Sequence, residues 1–159
     1  MVWYYWMARD RLIDQILDHL PLMGSDADRL TGAAAVFNGI NRTDLRALQS
    51  LRGGGMTAGR LARMLGVTSG ATTRVIDSLV TSGHVVREPD PSDRRRVLVR
   101  LTRAAEEQVD RTFAQLREDV RALLETYGDA ELETVALFLE DVRELVREHA
   151  RRLSPRAAP

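Results

Sequence analysis

The chain has 159 residues, a formal net charge of zero and no cysteine. This length is enough for one compact domain with a hydrophobic core and helical extensions. Without cysteine the chain can form neither disulfides nor thiolate metal sites, and a reducing cytoplasm is its expected location. Because no apolar run approaches the roughly 18 residues that a membrane span needs, we predict no membrane partner.

The first segment, residues 1–42, is predicted to form N-terminal scaffold helices that serve dimerisation. Apolar residues recur at helical spacing over 9–20 and again over 30–40, and Pro21 and Gly24 predict an interruption between the two helices. The cluster Trp3-Tyr4-Tyr5-Trp6 has three open interpretations. It could extend the dimer interface, line a ligand pocket, or lie upstream of a start at Met7.

The zero net charge hides an uneven distribution of charge along the chain. Residues 42–103 hold 12 arginines and 5 acidic residues, whereas the rest of the chain holds 11 arginines and 18 acidic residues. A basic module between acidic flanks is typical of a DNA-binding domain attached to a separate scaffold. The alternative is a chance arrangement of charged helix surfaces.

Residues 43–102 are predicted to form a winged helix-turn-helix DNA-binding domain. Three short helices separated by glycines are expected over 43–51, 57–65 and 68–81. We interpret the triplet Gly53-Gly54-Gly55 as a flexible connection. Thr57 and Thr68 can cap the second and third helices, and Gly66 supplies the tight turn between them. Two helices joined in this way are typical of a helix-turn-helix.

The third of these helices carries the predicted DNA-reading surface. Val75, Ile76 and Leu79 are expected to anchor it to the core. The residues left to point outward or toward its start are Ser69, Gly70, Thr72, Thr73, Arg74 and Asp77. We predict DNA contacts from the first five, because short hydroxyl side chains allow close approach and Arg74 can reach a guanine or a phosphate. For Thr72 and Thr73, ordinary helix-start hydrogen bonding is the alternative.

A short hairpin is predicted to form the wing. Strands over 85–88 and 97–101 flank a charged tip over 89–96. Arg94, Arg95 and Arg96 repel one another in this tip unless an anion is near, which suits the narrow minor groove of DNA. Asp93 would weaken that attraction, so we infer an internal role in which it pairs with an arginine and supports the wing.

Residues 103–153 are predicted to be C-terminal dimerisation helices, followed by a flexible tail over 154–159. Apolar residues step by three and four along two long helices, a coiled-coil-like pattern that favours an intertwined homodimer. Gly128 is predicted to end the first helix and Asp129 to cap the second. The fold class is therefore mainly α with a small β-hairpin wing, a winged helix-turn-helix flanked by N- and C-terminal dimerisation helices.

Five motifs occur in order through the middle of the chain: TAGRLA at 57–62, GVT at 66–68, TRVIDSL at 73–79, GHVVR at 83–87 and DPSDRRRVLVRLT at 90–102. Together they resemble the multiple-antibiotic-resistance regulator (MarR) family of transcription regulators. The resemblance implies a homodimer whose two winged modules bind a pseudo-palindromic operator in double-stranded DNA. It also implies that Arg95 enters the minor groove with Asp93 as its support, while the helix from Thr68 lies in the major groove.

The resemblance further implies a small aromatic or lipophilic effector bound near Phe37 and Ile40. Members that sense peroxide commonly use an N-terminal cysteine, and this chain has none. The expected function is repression that such a ligand releases, and the alternatives are regulation without a ligand and activation.

Two other classes of function compete with this one. No catalytic residue, cofactor or metal is predicted, because the three histidines match no metal-binding spacing and no nucleophile motif is present. A protein-binding adaptor is the second rival, since winged helices also recognise proteins. The three-arginine tip argues against it.

Overall fold

The computed structural model describes residues 2–153, with side chains from residue 8 onward. The predicted flexible tail over 154–159 and the side chains of the Trp3-Tyr4-Tyr5-Trp6 cluster lie outside the described residues. The chain divides into two compact units, one ending at Thr112 and the other beginning at Phe113.

Helices dominate both units, as the predicted fold class requires. The elements in chain order are α1 (Val2–Phe37), α2 (Arg42–Leu51), β1 (Met56–Thr57), α3 (Ala58–Leu65), α4 (Ser69–Thr81), β2 (Val85–Pro89), β3 (Val97–Leu101), α5 (Arg103–Leu124) and α6 (Asp129–Leu153). The three strands form one antiparallel sheet in the order β1-β3-β2. The fold is a winged helix with long flanking helices.

Helix α1 is continuous, and the prediction of two N-terminal helices is wrong. Pro21 lies inside the helix. A proline lacks the N–H that would donate to the carbonyl four residues earlier, and its ring crowds that carbonyl, which can kink a helix without ending it. Strong helix formers such as leucine, alanine and arginine occur on both sides of Pro21, and the helix continues through it despite the less favourable Gly24.

The core of the winged module comes from the inner faces of α2, α3 and α4. Leu45, Leu48 and Leu51 of α2 are buried, as their spacing predicts. Leu61 of α3 and Leu79 of α4 are buried with them, and the three helices pack on one another. Burial of these leucines fixes how α3 and α4 cross, and so which side of α4 remains in solvent.

Local hydrogen bonds set the ends of α3 and α4 where the sequence predicts them. The Thr57 hydroxyl accepts a hydrogen bond from the Arg60 N–H at 3.4 Å, and the Thr68 hydroxyl accepts one from the Ala71 N–H at 3.3 Å. Gly66 ends α3 in the left-handed conformation, with φ of 69°. Both N-caps and the tight turn are therefore confirmed.

A Gly66→Ala variant is expected to be less stable than the parent by about 1–2 kcal/mol, because a Cβ atom clashes in the left-handed conformation. Denaturant unfolding at fixed protein concentration measures the difference. Gly70→Ala is the matched control, since Gly70 lies in α4, where an added Cβ meets nothing within 4 Å. It should be neutral or slightly stabilising. Equal loss of stability in the two variants would contradict the role given to Gly66.

The triplet Gly53-Gly54-Gly55 leads into β1, a strand that the sequence did not predict. Met56 pairs with Val99 of β3, so the wing is part of a three-stranded sheet. Gly55 packs closely under Arg100, where an added Cβ would lie 2.6 Å from the Arg100 Cγ. The triplet is thus tied to the sheet at its last glycine, and its interpretation as a flexible connection is wrong at that end.

In the C-terminal unit, helix α5 ends at Leu124, four residues before the predicted end at Gly128. The N–H groups of Thr126 and Tyr127 donate to carbonyls three residues back, which tightens the chain into a turn. Asp129 is the first residue of α6 and not its cap. Instead, the Glu131 carboxylate accepts a hydrogen bond from the Gly128 N–H at 2.8 Å, as in a capping box.

The long helices leave wide apolar faces uncovered. None of the described residues of α6 is buried. Its exposed large apolar residues are Val135, Leu137, Phe138, Leu139, Leu145, Val146 and Leu153. Those of α1 are Leu12, Ile13, Ile16, Leu17, Leu22, Met23, Leu30, Val36 and Phe37. Apolar surface on this scale marks an interaction site in a folded protein.

Candidate nucleic-acid interface

The inner face of α4 includes Thr72, which was expected among the outward DNA-contacting residues. Thr72 is fully buried, and its hydroxyl donates to the Thr68 carbonyl at 3.0 Å. It shares a helical face with Ile76 and Leu79, four and seven residues further on. Because the carbonyl satisfies the hydroxyl, the burial carries little penalty. The prediction that Thr72 contacts DNA is therefore wrong.

The outer face of α4 holds the other predicted contact residues. Ser69, Gly70, Thr73 and Arg74 are all exposed at its N-terminal half. The Thr73 hydroxyl donates to the Ser69 carbonyl at 3.0 Å, so helix-start hydrogen bonding does occupy its proton. Its oxygen can still accept a bond. Small side chains, the exposed Arg74 and the positive end of the helix dipole thus lie together on one surface.

The wing tip is shaped by a turn at Asp90. The Asp90 carboxylate accepts hydrogen bonds from the Ser92 N–H at 2.8 Å and the Ser92 hydroxyl at 2.7 Å. These bonds, led by the one from the Ser92 hydroxyl, lower the pKa of Asp90 below its usual range. The Asp90 N–H donates to the Arg96 carbonyl at 3.0 Å and closes the loop. The tip is consequently a hydrogen-bonded turn that presents its side chains in a defined arrangement.

Asp93 contacts two of the three tip arginines. Its carboxylate accepts from the Arg95 backbone N–H at 3.0 Å and lies 3.3 Å from the Arg96 Nε. Arg96 is thus the arginine partner that the charge argument expected. In the described part of the chain, no ion pair engages the guanidinium groups of Arg94 and Arg95, both of which are exposed. The turn holds the backbone of Arg95 and leaves its charge available.

Helix α3 adds two basic residues that sequence reasoning did not single out. Arg60 and Arg63 are exposed, and neither forms an ion pair within residues 8–153. The sequence did indicate a basic surface on α3, because this helix contains two arginines and no acidic residue. These arginines extend the positive surface of the helix-turn-helix.

The remaining sequence predictions concern the effector pocket, metal binding, the histidines and membrane helices. Phe37 is 82% exposed and Ile40 is half-buried, so the effector pocket stays a prediction. Within the described ranges, no group of three or more histidine, aspartate or glutamate side chains could hold a metal ion. His84 hydrogen-bonds inside the module, with its Nδ1 2.7 Å from the Ser82 hydroxyl. Over those same ranges, no helix is both long and apolar enough to cross a membrane.

Comparison with known proteins gives consistent matches. Residues 38–96 match the model of the MarR family. The chain is 35% identical over 122 residues, 76% of its length, to the uncharacterized HTH-type transcriptional regulator YcgE of Bacillus subtilis, and covers 79% of that protein.

Solved structures agree with the sequence matches. The crystal structure of apo MarR from Escherichia coli is 28% identical, with a TM-score of 0.56 over 79% of this chain and 94% of that one. A mutant of that MarR in complex with operator DNA is also 28% identical, with a TM-score of 0.52 over 82% of this chain and 94% of that one. The proteins named in these matches are transcription regulators and not enzymes.

Proposed function

Because the chain belongs to the MarR family of transcription regulators, we propose that it is a homodimeric, sequence-specific repressor that a small ligand releases from DNA. The chain carries the DNA-binding winged helix of that family and, like its relatives, is a regulator and not an enzyme. The geometry of the wing tip is the observation that supports the specific DNA contacts in this proposal. There, Asp93 holds the backbone of Arg95 while the Arg95 guanidinium stays unpaired among the described residues.

In this proposal α4 lies in the major groove. Ser69, Gly70 and Thr73 approach the DNA closely, and Arg74 reaches a guanine edge or a phosphate. Their shared exposure on one side of α4 supports this role, and so does the complex of the E. coli relative with operator DNA.

The wing lies in the adjacent minor groove. Arg95 enters the groove, where the negative potential is strongest at narrow A·T-rich sites. Arg94 and Arg96 add positive charge beside the phosphates, and Asp93 supports the tip through its contacts with Arg95 and Arg96. The exposure of all three arginines supports this arrangement.

A second copy of the chain covers the apolar faces of the long helices. The absence of any buried residue in the described part of α6 supports this proposal, as does the row of exposed apolar residues on α1. A two-fold dimer presents two α4 helices, so its operator is a pseudo-palindrome with half-sites about 34–36 Å apart.

Repression follows if the bound dimer blocks a promoter, which requires only tight binding. Release follows if a small aromatic or lipophilic effector, bound near Phe37 and Ile40, changes the spacing of the two α4 helices. A titration of the operator complex with small aromatic carboxylates tests the release step. If none of a broad ligand panel lowers DNA affinity, the effector part of the proposal fails and the DNA-binding part stands.

Operator affinity is expected to fall steeply with salt. A dimer that makes at least two phosphate contacts per protomer should give a slope of log affinity against log salt of about −3.6 or steeper. Fluorescence anisotropy over 50–300 mM salt measures it, with sedimentation confirming a dimer. An adaptor that binds other proteins would show no duplex binding, and a flat salt dependence would contradict the proposed contacts.

A further inference from the structure

Asp77 is an acidic residue on the surface that faces DNA in the proposed function. It is the only acidic residue in the 43 residues from position 45 to position 87. It lies on the outer side of α4, seven residues after Gly70, four after Thr73 and three after Arg74, so these residues form one helical stripe. A carboxylate in this stripe would repel DNA phosphates, and its placement there calls for a specific use.

Arg87 of β2 holds this carboxylate in place. The Arg87 Nη2 donates to the Asp77 Oδ1 at 2.5 Å. Both side chains are about half exposed, and ion pairs so exposed contribute little to folding stability. Among the described residues, the second carboxylate oxygen of Asp77, Oδ2, accepts no hydrogen bond. The pair therefore offers a fixed acceptor, with part of its charge neutralised, on the DNA-facing side.

The chemistry of the major groove limits what such an acceptor can bind. Thymine presents only an acceptor and a methyl group there, and guanine presents only acceptors. Cytosine offers its N4 amino group as a donor without an adjacent acceptor, and aspartate accepts from it. Adenine also offers a donor, but its neighbouring N7 acceptor favours the amide of asparagine or glutamine.

We propose that Asp77 is a specificity-determining residue that accepts a hydrogen bond from the N4 amino group of one cytosine in each half-site. Arg87 acts as the positioning residue that orients the Asp77 carboxylate and limits its repulsion of the backbone. This inference rests on the proposed function, because it requires α4 to lie in the major groove.

The test uses the full chain and duplexes that carry each of the four base pairs at every position of the selected operator. The parent should prefer C·G at one symmetry-related position by about tenfold. Asp77→Ala should lose that preference and bind the other duplexes more tightly. Asp77→Asn should move the preference from C·G to A·T at the same position, because an amide pairs with the adenine N6 and N7 atoms. A merely structural role for Asp77 would not produce such a switch.

Arg87 variants test the positioning role. Arg87→Met should reduce discrimination at the same base pair and leave the other positions unchanged, and Arg87→Lys should restore part of it. Glu107→Gln is the matched control, since Glu107 is also an exposed carboxylate paired with an arginine, Arg103, but on α5. It should alter no base preference.

The outcomes separate this inference from the function on which it rests. If the parent selects an inverted repeat but Asp77→Ala and Asp77→Asn keep all its base preferences, the inference is overturned and the proposed function stands. If the parent selects no sequence, the proposed function fails and this inference fails with it. If both variants change the affinity for all duplexes by the same factor, the inference is also overturned. Such a result would show that Asp77 repels the DNA backbone and does not recognise a base.

Discussion

Arg95→Ala is expected to bind operator DNA about 1–3 kcal/mol more weakly than the parent, or more weakly still. Asp93 contacts Arg95 only through the Arg95 backbone N–H, so the wing should keep its shape when the Arg95 side chain is removed. What is lost is a guanidinium that the described residues leave unpaired. The loss should be concentrated at an A·T-rich position, where a narrow minor groove attracts arginine most strongly.

Two comparisons make this prediction specific. Arg103→Ala removes the same charge from an exposed residue outside the wing, where Arg103 pairs with Glu107. It should cost far less affinity. Replacing the A·T-rich step by G·C should weaken binding of the parent and leave the Arg95→Ala variant almost unaffected. Anisotropy titrations with matched duplexes measure both effects. If Arg95→Ala and the parent bind equally, the wing is not inserted in the groove.

Leu45→Ala is expected to lower the free energy of unfolding by about 2–5 kcal/mol. Leu45 is fully buried in α2, and α2 packs against α1, α3, α4 and β3. The truncation leaves a cavity at the centre of the winged module, where the surrounding helices can collapse only in part.

Met64→Ala is the matched control for this truncation, because Met64 is an apolar residue of the same module that is 51% exposed. It should cost well under half as much stability. Denaturant unfolding at one fixed protein concentration measures both variants, since dimerisation would make the stability depend on concentration. Equal losses would show that Leu45 does not lie in the core that the structure assigns to it.

Features set by local hydrogen bonds were predictable from the sequence. Helices α3 and α4 begin after Thr57 and Thr68 and are separated by a left-handed Gly66, all as expected. Each of these features depends on groups within four residues along the chain, so the residue types alone carry the signal. The same holds for the start of α4, which positions the candidate contact residues.

Features set by distant contacts were not predictable in this way. Strand β1 forms because Met56 pairs with Val99, 43 residues later, and no residue near Met56 in the sequence indicates that pairing. The spacing of Thr72 from Ile76 and Leu79 did indicate its burial, but its polarity favoured the outer surface. Its hydroxyl is satisfied by a carbonyl of its own helix, which removes the usual reason for exposure.

The wing tip contains both a feature that was predictable from the sequence and a feature that was not. An acidic residue in a DNA-binding tip weakens the attraction to DNA, which predicted that Asp93 pairs with an arginine, but three candidate arginines were adjacent. The folded turn places Arg96 beside the carboxylate and directs the Arg95 backbone to it. The pairing of Asp77 with Arg87 was missed because it joins α4 to β2, ten residues apart, across a turn whose geometry only the fold defines.

The most direct test of sequence-specific DNA binding by a dimer is selection of bound duplexes from a random double-stranded DNA pool, at moderate and at raised salt. We predict enrichment of an inverted repeat whose half-sites are centred about one helical turn apart, with A·T-rich steps where the wings lie. Salt-sensitive binding without any enriched sequence would contradict this prediction, because a general DNA-packaging protein behaves in that way.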